Sequence, residues 1–547
     1  MKYISTRTGI EATAQETVFQ GLAPDGGLYV PEIGPIRVGL GSDSVGLGSD
    51  RVGLGSDRVG LGSNRVGLGS DSVGLGSNRV GLGSDSVGLG SNRVGLGSET
   101  LNDPKSTLND PSLTLGAAEK FVLDSLFGDF PEEVRRAAID RLLSRFPAED
   151  PIPLVEKDSL HILELFHGRT GAFKDVALSM LPVFMRHAAG GRRVLVLTAT
   201  SGDTGSAAMQ GFAGVDGTEI VVFYPATGTS RIQRLQMTTP SEANVHAVGI
   251  RGNFDDAQAA VKRIFADAAI NADAASHGIT LSSANSINTG RLVPQIAYYV
   301  LAGAKIDGTD GRSGAPAPQP KEFDVVVPSG NFGNILAAYY AKLLGSPIGK
   351  LVVASNVNDV LARFVKTGVY DPGPSFTVTN SPSMDIRKSS NVERLLWMIS
   401  GGLDGDFERA CAETSRMMRD LSEKGRYELS QSAKERLFAD FEGGVATPEE
   451  TEAEMRRMRD AAGYLVDPHT AVATAVAKRL GFPKGGTPCV VAATATPYKF
   501  PETCMRAYGE DVLTDPPPSF RELGRLPVAQ TRVCDVDRID DEVTRLF

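Results

Sequence analysis

The stretch LFHGRTGAFKDVAL, Leu165–Leu178, changes its periodicity in the middle. It continues the short apolar run LHILELF (160–166), and from Lys174 onward apolar residues return at helical spacing. Glycines, a threonine and a phenylalanine lie between. A strand, a turn and a helix in this order form the repeating unit of a parallel α/β sheet. The turn also leaves one lysine, Lys174, where the strand ends and the helix begins. A lysine there is ordinarily a solvated surface residue, so its meaning depends on the rest of the chain.

The same alternation continues outward. RRVLVLTA (192–199), EIVVFYP (219–225), NVHAVGI (244–250), FDVVVPSG (323–330) and KLVVAS (350–355) read as buried strands. Helical patterns such as DDAQAAVKRIFADAAI (255–270) and RLVPQIAYYVLAGA (291–304) separate them. Near-continuous apolar strands alternating with helices predict parallel sheets covered on both faces. Ligands of such folds lie beyond the carboxyl ends of the strands.

At 547 residues the chain is long enough for two or three domains. Its net charge of −10 opposes a general nucleic-acid binder or an anionic membrane surface. No apolar stretch is long enough to span a membrane, and MKYISTRTGIEATAQETVF (1–19) does not read as a signal peptide. Cys411, Cys489, Cys504 and Cys534 show no CxxC spacing and read as free thiols of a reducing compartment. The six histidines form no ligand cluster, so no metal is expected. These features predict a soluble cytoplasmic protein.

Residues 37–99 are nine copies of a heptad, RVGLGSD and its variants. Two glycines per heptad oppose a coiled coil, since each costs about 1 kcal/mol in a helix. A flexible or loosely extended insert is expected, running with degenerate copies to about residue 115. A second Gly/Pro/Ala-rich linker occupies Asp307–Lys321.

Three strand ends are rich in polar residues. In VLVLTATSGDTGSAAM, Thr200, Ser201, Asp203 and Thr204 either hold an anion at a helix start or cap it. In VPSGNFGN, Gly330, Asn331, Phe332, Gly333 and Asn334 form either a phosphate cradle or an ordinary glycine turn. This is neither GxGxxG nor a Walker loop. In SSANSINTGRL, Asn285, Ser286, Asn288 and Arg291 crowd the next helix start. Arg291 offers a donor fork suited to phosphate or carboxylate, or is a surface arginine on a polar turn. A lysine, an anion cradle and two further polar loops at shared strand ends suit pyridoxal phosphate, which needs an amine for its aldehyde and a cradle for its phosphate.

These motifs carry a resemblance. YISTR, GLAPDGGLYVPE, ELFHGRTGAFKD, TATSGDTGSAA, SSANSINTGRL, VPSGNFGN, SPSMDI, SSNVERLL, DPHTAVA and ATATPYKFPE occur in order. The chain resembles the threonine synthase family of pyridoxal-phosphate enzymes. The resemblance spans nearly everything outside 37–115 and 307–321. It implies two parallel-sheet α/β domains of the tryptophan-synthase-β-like, fold type II architecture, interrupted by the low-complexity heptad insert. It further implies that Lys174 is the Schiff-base lysine and Gly330–Asn334 the cofactor-phosphate loop. Thr494 matches the hydroxyl facing the pyridine nitrogen; a hydroxyl, unlike a carboxylate, would not hold that nitrogen protonated. Thr200, Ser201, Asp203 and Thr204 match the loop around the amino-acid substrate, and Asn285, Ser286, Asn288 and Arg291 the region receiving its phosphate.

The implied reaction is O-phospho-L-homoserine plus water to L-threonine plus phosphate, in a monomer or homodimer. A serine or threonine dehydratase on the same fold, or an inactive homologue acting as a binding protein, are the rivals. Two departures stand out. Many family members have Pro-Thr-Leu in place of Arg169-Thr170-Gly171, and His-Pro-Ala in place of Thr496-Pro497-Tyr498. The expected organisation is an N-terminal segment (1–36), the insert (37–115), a helical continuation (116–158), a smaller α/β domain (159–272) with Lys174 and the SGDTG loop, and a larger one (273–547) with the cofactor-phosphate loop.

Overall fold

The computed structural model describes residues 1–33, 110, 112–146, 149–308, 321–373, 375–509 and 512–547. Contacts group Met1–Gly34 with Asn109–Phe547 as one unit. The remaining unit, Pro35–Leu108, lies outside the described residues, and with it the heptad repeat. Most of the Asp307–Lys321 linker lies outside them too.

Two twisted sheets form the body. The larger has six strands, in the order Phe441–Val445, Ile348–Ser355, Phe323–Pro328, Cys489–Ala493, Leu160–Glu164 and Leu154–Lys157. All neighbours are parallel except the last pair, an edge hairpin. Its two turn residues, Asp158 and Ser159, both have positive φ, as a tight hairpin turn requires. The smaller sheet has five parallel strands, in the order Arg532–Cys534, Val245–Ile250, Thr218–Pro225, Arg193–Ala199 and Ile279–Ser283. The apolar runs are covered on both faces: FDVVVP is buried at every position and VLVLTA likewise.

Sheet membership crosses the expected 272/273 boundary. Leu160–Glu164, expected in the smaller domain, pairs with Cys489–Ala493 of the larger sheet. Ile279–Ser283 and Arg532–Cys534, expected in the larger domain, belong to the five-stranded sheet. Parallel neighbours are joined by crossovers, so chain order does not dictate which sheet receives a strand. The N-terminal segment is a three-stranded antiparallel sheet, with Lys2–Ser5 between Glu11–Thr13 and Tyr29–Pro31.

The helix Lys174–Ala188 is buried from Asp175 to Met185 except for Val183, is exposed at Arg186 and His187, and packs on the helix Asp203–Phe212. The approach is so close that a Cβ on Gly211 would lie 2.1 Å from the Leu178 carbonyl oxygen. Only glycine lets these two helices, and hence their first residues, come together.

Candidate active site

Lys174 opens its helix directly after Phe173. The approach is zipped to a second strand end. Phe173 N donates to Thr494 O at 2.9 Å, Thr496 N donates to Gly171 O at 3.0 Å, and Ala172 bridges Ala495. The strands feeding these segments are parallel neighbours, so their carboxyl ends emerge together. Lys174 and Thr494 therefore line one cavity.

Asp203 opens the neighbouring helix and holds Lys174. Its Oδ2 accepts from Lys174 Nζ at 3.0 Å and from Ser383 Oγ at 3.1 Å. Its Oδ1 accepts from Gln233 Nε2 at 2.9 Å and lies 3.1 Å from Lys499 Nζ. Lys499 is fully buried and also donates to Thr170 O at 2.9 Å and Gln236 Oε1 at 3.1 Å. Burial pushes the Lys174 amine below the usual lysine range; Asp203 opposes this, and the charges of Lys499 and Arg291 add to it. Burial alone would raise the Asp203 carboxyl, but the ammoniums of Lys174 and Lys499 overcome it and hold Asp203 well below the carboxylate range. The arrangement is a buried anion between two lysines, one of which faces the cavity.

Gly330–Asn334 follows the strand Phe323–Pro328 and starts the helix Gly333–Leu343. Phe332 adopts a left-handed backbone, φ 64°, at the entry to that helix. The loop's carbonyls are already engaged: Gly330 O accepts from Ser389 Oγ at 3.0 Å and Asn331 O from Asn391 Nδ2 at 3.0 Å. The N–H groups of the helix's first turn have no intrahelical acceptor and favour an anion. A Cβ on Gly330 would lie 2.6 Å from Ser383 O, so the loop's closeness depends on glycine. All five residues line the same cavity.

Arg291 also lines it and is 2 % exposed. One nitrogen donates to Ala284 O at 2.6 Å, while Nε is buried without a partner. No carboxylate among the described residues forms an ion pair with it. Burial brings its guanidinium down to about 10. A buried cation without a counter-ion is a costly arrangement unless a ligand completes it.

The other expected residues divide. Ser201, Thr204, Asn285 and Ser286 line the cavity with Thr200 and Asp203. The Thr200 hydroxyl, however, accepts from Gly202 N and Gly205 N at 2.9 Å each, and so shapes the loop. The Asn285 amide ties two strand ends, accepting from Ala199 N at 3.2 Å and donating to Ala199 O at 2.8 Å. Asn288, expected at the substrate phosphate, is not part of the lining. Its amide donates to Val18 O and Ser283 O at 2.9 Å each and caps the following helix through Gly290 N. An asparagine at a helix start serves as a cap as readily as a ligand.

The two departures prove to be neighbours. Gly171 has φ +70°, and a Cβ there would meet Thr496 Cγ2 at 2.5 Å and the Phe520 ring at 2.7 Å. The Tyr498 and Phe520 rings lie 6.3 Å apart. Both departures thus meet beneath the zipped segments that carry Lys174 and Thr494.

Comparison with known proteins identifies the family. Residues 147–446 match a family described as pyridoxal-phosphate dependent enzyme, 2–37 the threonine synthase N terminus and 470–545 the threonine synthase C-terminal region. Threonine synthase of Eremothecium gossypii is 37% identical over 447 residues, covering 76% of this chain and 83% of that protein. The chain belongs to the threonine synthase family. Solved structures of family members superpose along its length. PLP-bound threonine synthase from Brucella melitensis has a TM-score of 0.75 at 30% identity, covering 100% of this chain and 99% of that one. The yeast threonine synthase has a TM-score of 0.77 at 28% identity, covering 99% and 98%.

As a member of that family the chain is a pyridoxal-phosphate-dependent enzyme. Its residues fit the cofactor: a buried amine at Lys174, a glycine-cradled helix start at Gly330–Asn334, and Thr494 at a strand end in the same cavity. Among the described residues no group of three or more His, Cys, Asp and Glu could hold a metal, and no helix is long and apolar enough to cross a membrane.

Ser383, His469, Gln233, Gln236 and Lys499 carried no expected role. His469 Nδ1 lies 2.6 Å from Asp467 Oδ2, and Nε2 accepts from Ser383 N at 3.1 Å. These contacts fix the ring as the Nδ1–H tautomer and hold the Ser383 turn against Asp203. The available signals were DPHTAVA, with Asp before Pro at a helix start, and Lys499 set among apolar residues in TPYKFP.

Proposed function

We propose that this enzyme converts O-phospho-L-homoserine and water into L-threonine and phosphate. The observation that carries the reading is Arg291, a buried guanidinium without a counter-ion in the cavity that Lys174 also lines. The cofactor's phosphate has its own cradle in Gly330–Asn334, which leaves Arg291 for a second anion. A phosphorylated amino acid supplies one.

Pyridoxal phosphate, when bound, supplies the electron sink for charge developing at the substrate's α-carbon. Lys174 supplies the amine that would hold the cofactor through its aldehyde. That amine, once free, is a base of lowered proton affinity, suited to take the α-proton and a β-proton. Arg291 holds the phosphate that leaves Cγ and stabilises the charge that builds on it. Water adds its oxygen at Cβ; one proton delivered to Cγ completes the methyl group of threonine, and another returned to Cα restores its hydrogen. Ser201 and Thr204 lie on the amino-acid side of the cavity, and Asn285 and Ser286 lie with Arg291 on the side that receives the substrate's phosphate. Thr494 would offer the cofactor's ring nitrogen a neutral hydroxyl, which, unlike a carboxylate, would not hold that nitrogen protonated. We further infer a monomer or homodimer in the cytoplasm, a setting to which four buried free cysteines are suited.

The test is a product assay with O-phospho-L-homoserine, L-serine and L-threonine. Threonine and phosphate in equal amounts from the first are expected. Ammonia from serine or threonine, with no phosphate released from the first, would reassign the site as a dehydratase.

A further inference from the structure

A base that must gain and lose a proton repeatedly needs a fixed electrostatic setting. Asp203 is the nearest part of that setting, yet its Oδ2 faces the mobile partner. Once Lys174 engages the cofactor or transfers its proton, Asp203 loses one of its two cationic neighbours. A buried carboxylate with no cation would take up a proton, and its hold on the lysine would change.

We propose that Lys499 is the positioning residue that keeps Asp203 ionised and oriented toward Lys174 throughout turnover. The geometry is suited to a permanent counter-charge. Lys499 does not line the cavity and is fully buried. An ammonium has three N–H donors, and Asp203, Thr170 O and Gln236 Oε1 occupy three directions at 2.9–3.1 Å. Gln236 is itself held, its Nε2 donating to Thr170 O at 3.1 Å. Thr170 belongs to the turn that delivers Lys174, and its hydroxyl and N–H both bind Asp175. Lys499 therefore bolts together the Lys174 turn, the Asp203 helix and the helix Arg231–Thr238 that supplies Gln233 and Gln236. Among the described residues no lysine or arginine other than Lys174 and Lys499 bonds Asp203: the charge of Arg291 acts on Lys174, and the two ring nitrogens of His469 are engaged by Asp467 and Ser383. The remaining acids nearby are Asp175, bound by Thr170, and Asp385, bound by Thr379 and Asn356.

The inference rests on Lys174 being the reactive amine, but its readout does not require turnover. Full-length protein is stripped of cofactor, with an unchanged circular dichroism spectrum and regain of the cofactor's visible absorbance on its return as the check on folding. Labelling of Lys174 by trinitrobenzenesulfonate is then followed through the mass of its peptide as a function of pH. In Lys499→Met the midpoint should rise by roughly one pH unit, because a positive neighbour has been removed. Lys499→Arg should restore it to near the wild-type value, and Gln236→Glu should raise it by a smaller amount by offsetting the Lys499 charge. The Gln236→Glu arm stands alone if Lys499→Met does not fold. Unchanged midpoints in the folded variants would overturn the proposal and leave Lys499 a purely structural residue. Failure of Lys174 to label with a pH-dependent rate in wild type would instead remove the lysine assignment itself.

Discussion

The cavity has two charged corners that treat burial in opposite ways. Around Asp203 every acceptor direction is filled, by Lys174, Ser383, Gln233 and Lys499. Around Arg291 one nitrogen is bound and another is buried without a partner. A satisfied buried network is rigid and sets the position of whatever it holds. An unsatisfied one costs free energy until a ligand arrives. The first corner therefore reads as machinery and the second as a receptacle.

The largest effect is expected at the machinery. Lys174→Ala should abolish threonine formation, a loss of roughly 10²–10⁴-fold at the least for a missing acid–base group. The variant should fold, because Asp203 keeps Lys499 and Gln233 as partners. Circular dichroism and the product assay check both halves. Turnover near wild type would sink the lysine assignment.

Arg291→Lys presses on the receptacle. Lysine keeps the charge and loses the planar fork. A loss of about 1.5–3 kcal/mol, the scale of a hydrogen bond to a charged group, corresponds to roughly 10- to 150-fold in kcat/KM. Cofactor binding, followed by its visible absorbance, should change little if, as proposed, that phosphate is held by Gly330–Asn334. Loss of cofactor with normal kinetics in the loaded fraction would mean the two anion sites are reversed.

Gly211→Ala tests how the machinery is held together. Its methyl group would collide with the Leu178 carbonyl and force apart the helices that carry Lys174 and Asp203. Overpacking of this kind costs roughly 1–3 kcal/mol. A thermal melt should show that loss, with a parallel fall in kcat. A melt unchanged from wild type would show that the helices have slack.

What sequence could and could not reveal follows the same division. Lys174 and Gly330–Asn334, which line one cavity, could be singled out because each lies at a local strand–turn–helix signature. The edge strand Leu154–Lys157 was not read, since its hairpin turn, Asp158-Ser159, lacks the usual glycine. Lys499 was invisible as a partner, for nothing local connects it to Asp203; only the parallel order of the strands does. Asn288 was misplaced because polar turn residues look alike whether they face a ligand or the backbone. Gly171 and Thr496 looked like separate departures, and only the bridge between their segments puts them in contact.

The smallest effect sharpens the contrast by leaving the cavity. Glu119 is fully buried, neither carboxyl oxygen has a partner, and it does not line the site. If unsatisfied charge marks a receptacle only inside a cavity, Glu119 is a plain cost to folding. Burial pushes its carboxyl well above the usual range, so the folded state keeps the proton that the unfolded chain releases near pH 4.3. For an acid whose folded value is raised, stability is fullest below the unfolded value and is lost as pH rises toward the folded one. Glu119→Leu removes that loss together with an unsatisfied polar group, a gain of roughly 1–3 kcal/mol. The rise in Tm should therefore be larger at pH 8 than at pH 5, with kcat unaltered at both. An equal rise at the two values would mean that Glu119 is not the titrating group. A fall in kcat would bring Glu119 into the machinery, through Tyr298, whose hydroxyl donates to the Phe173 carbonyl beside Lys174.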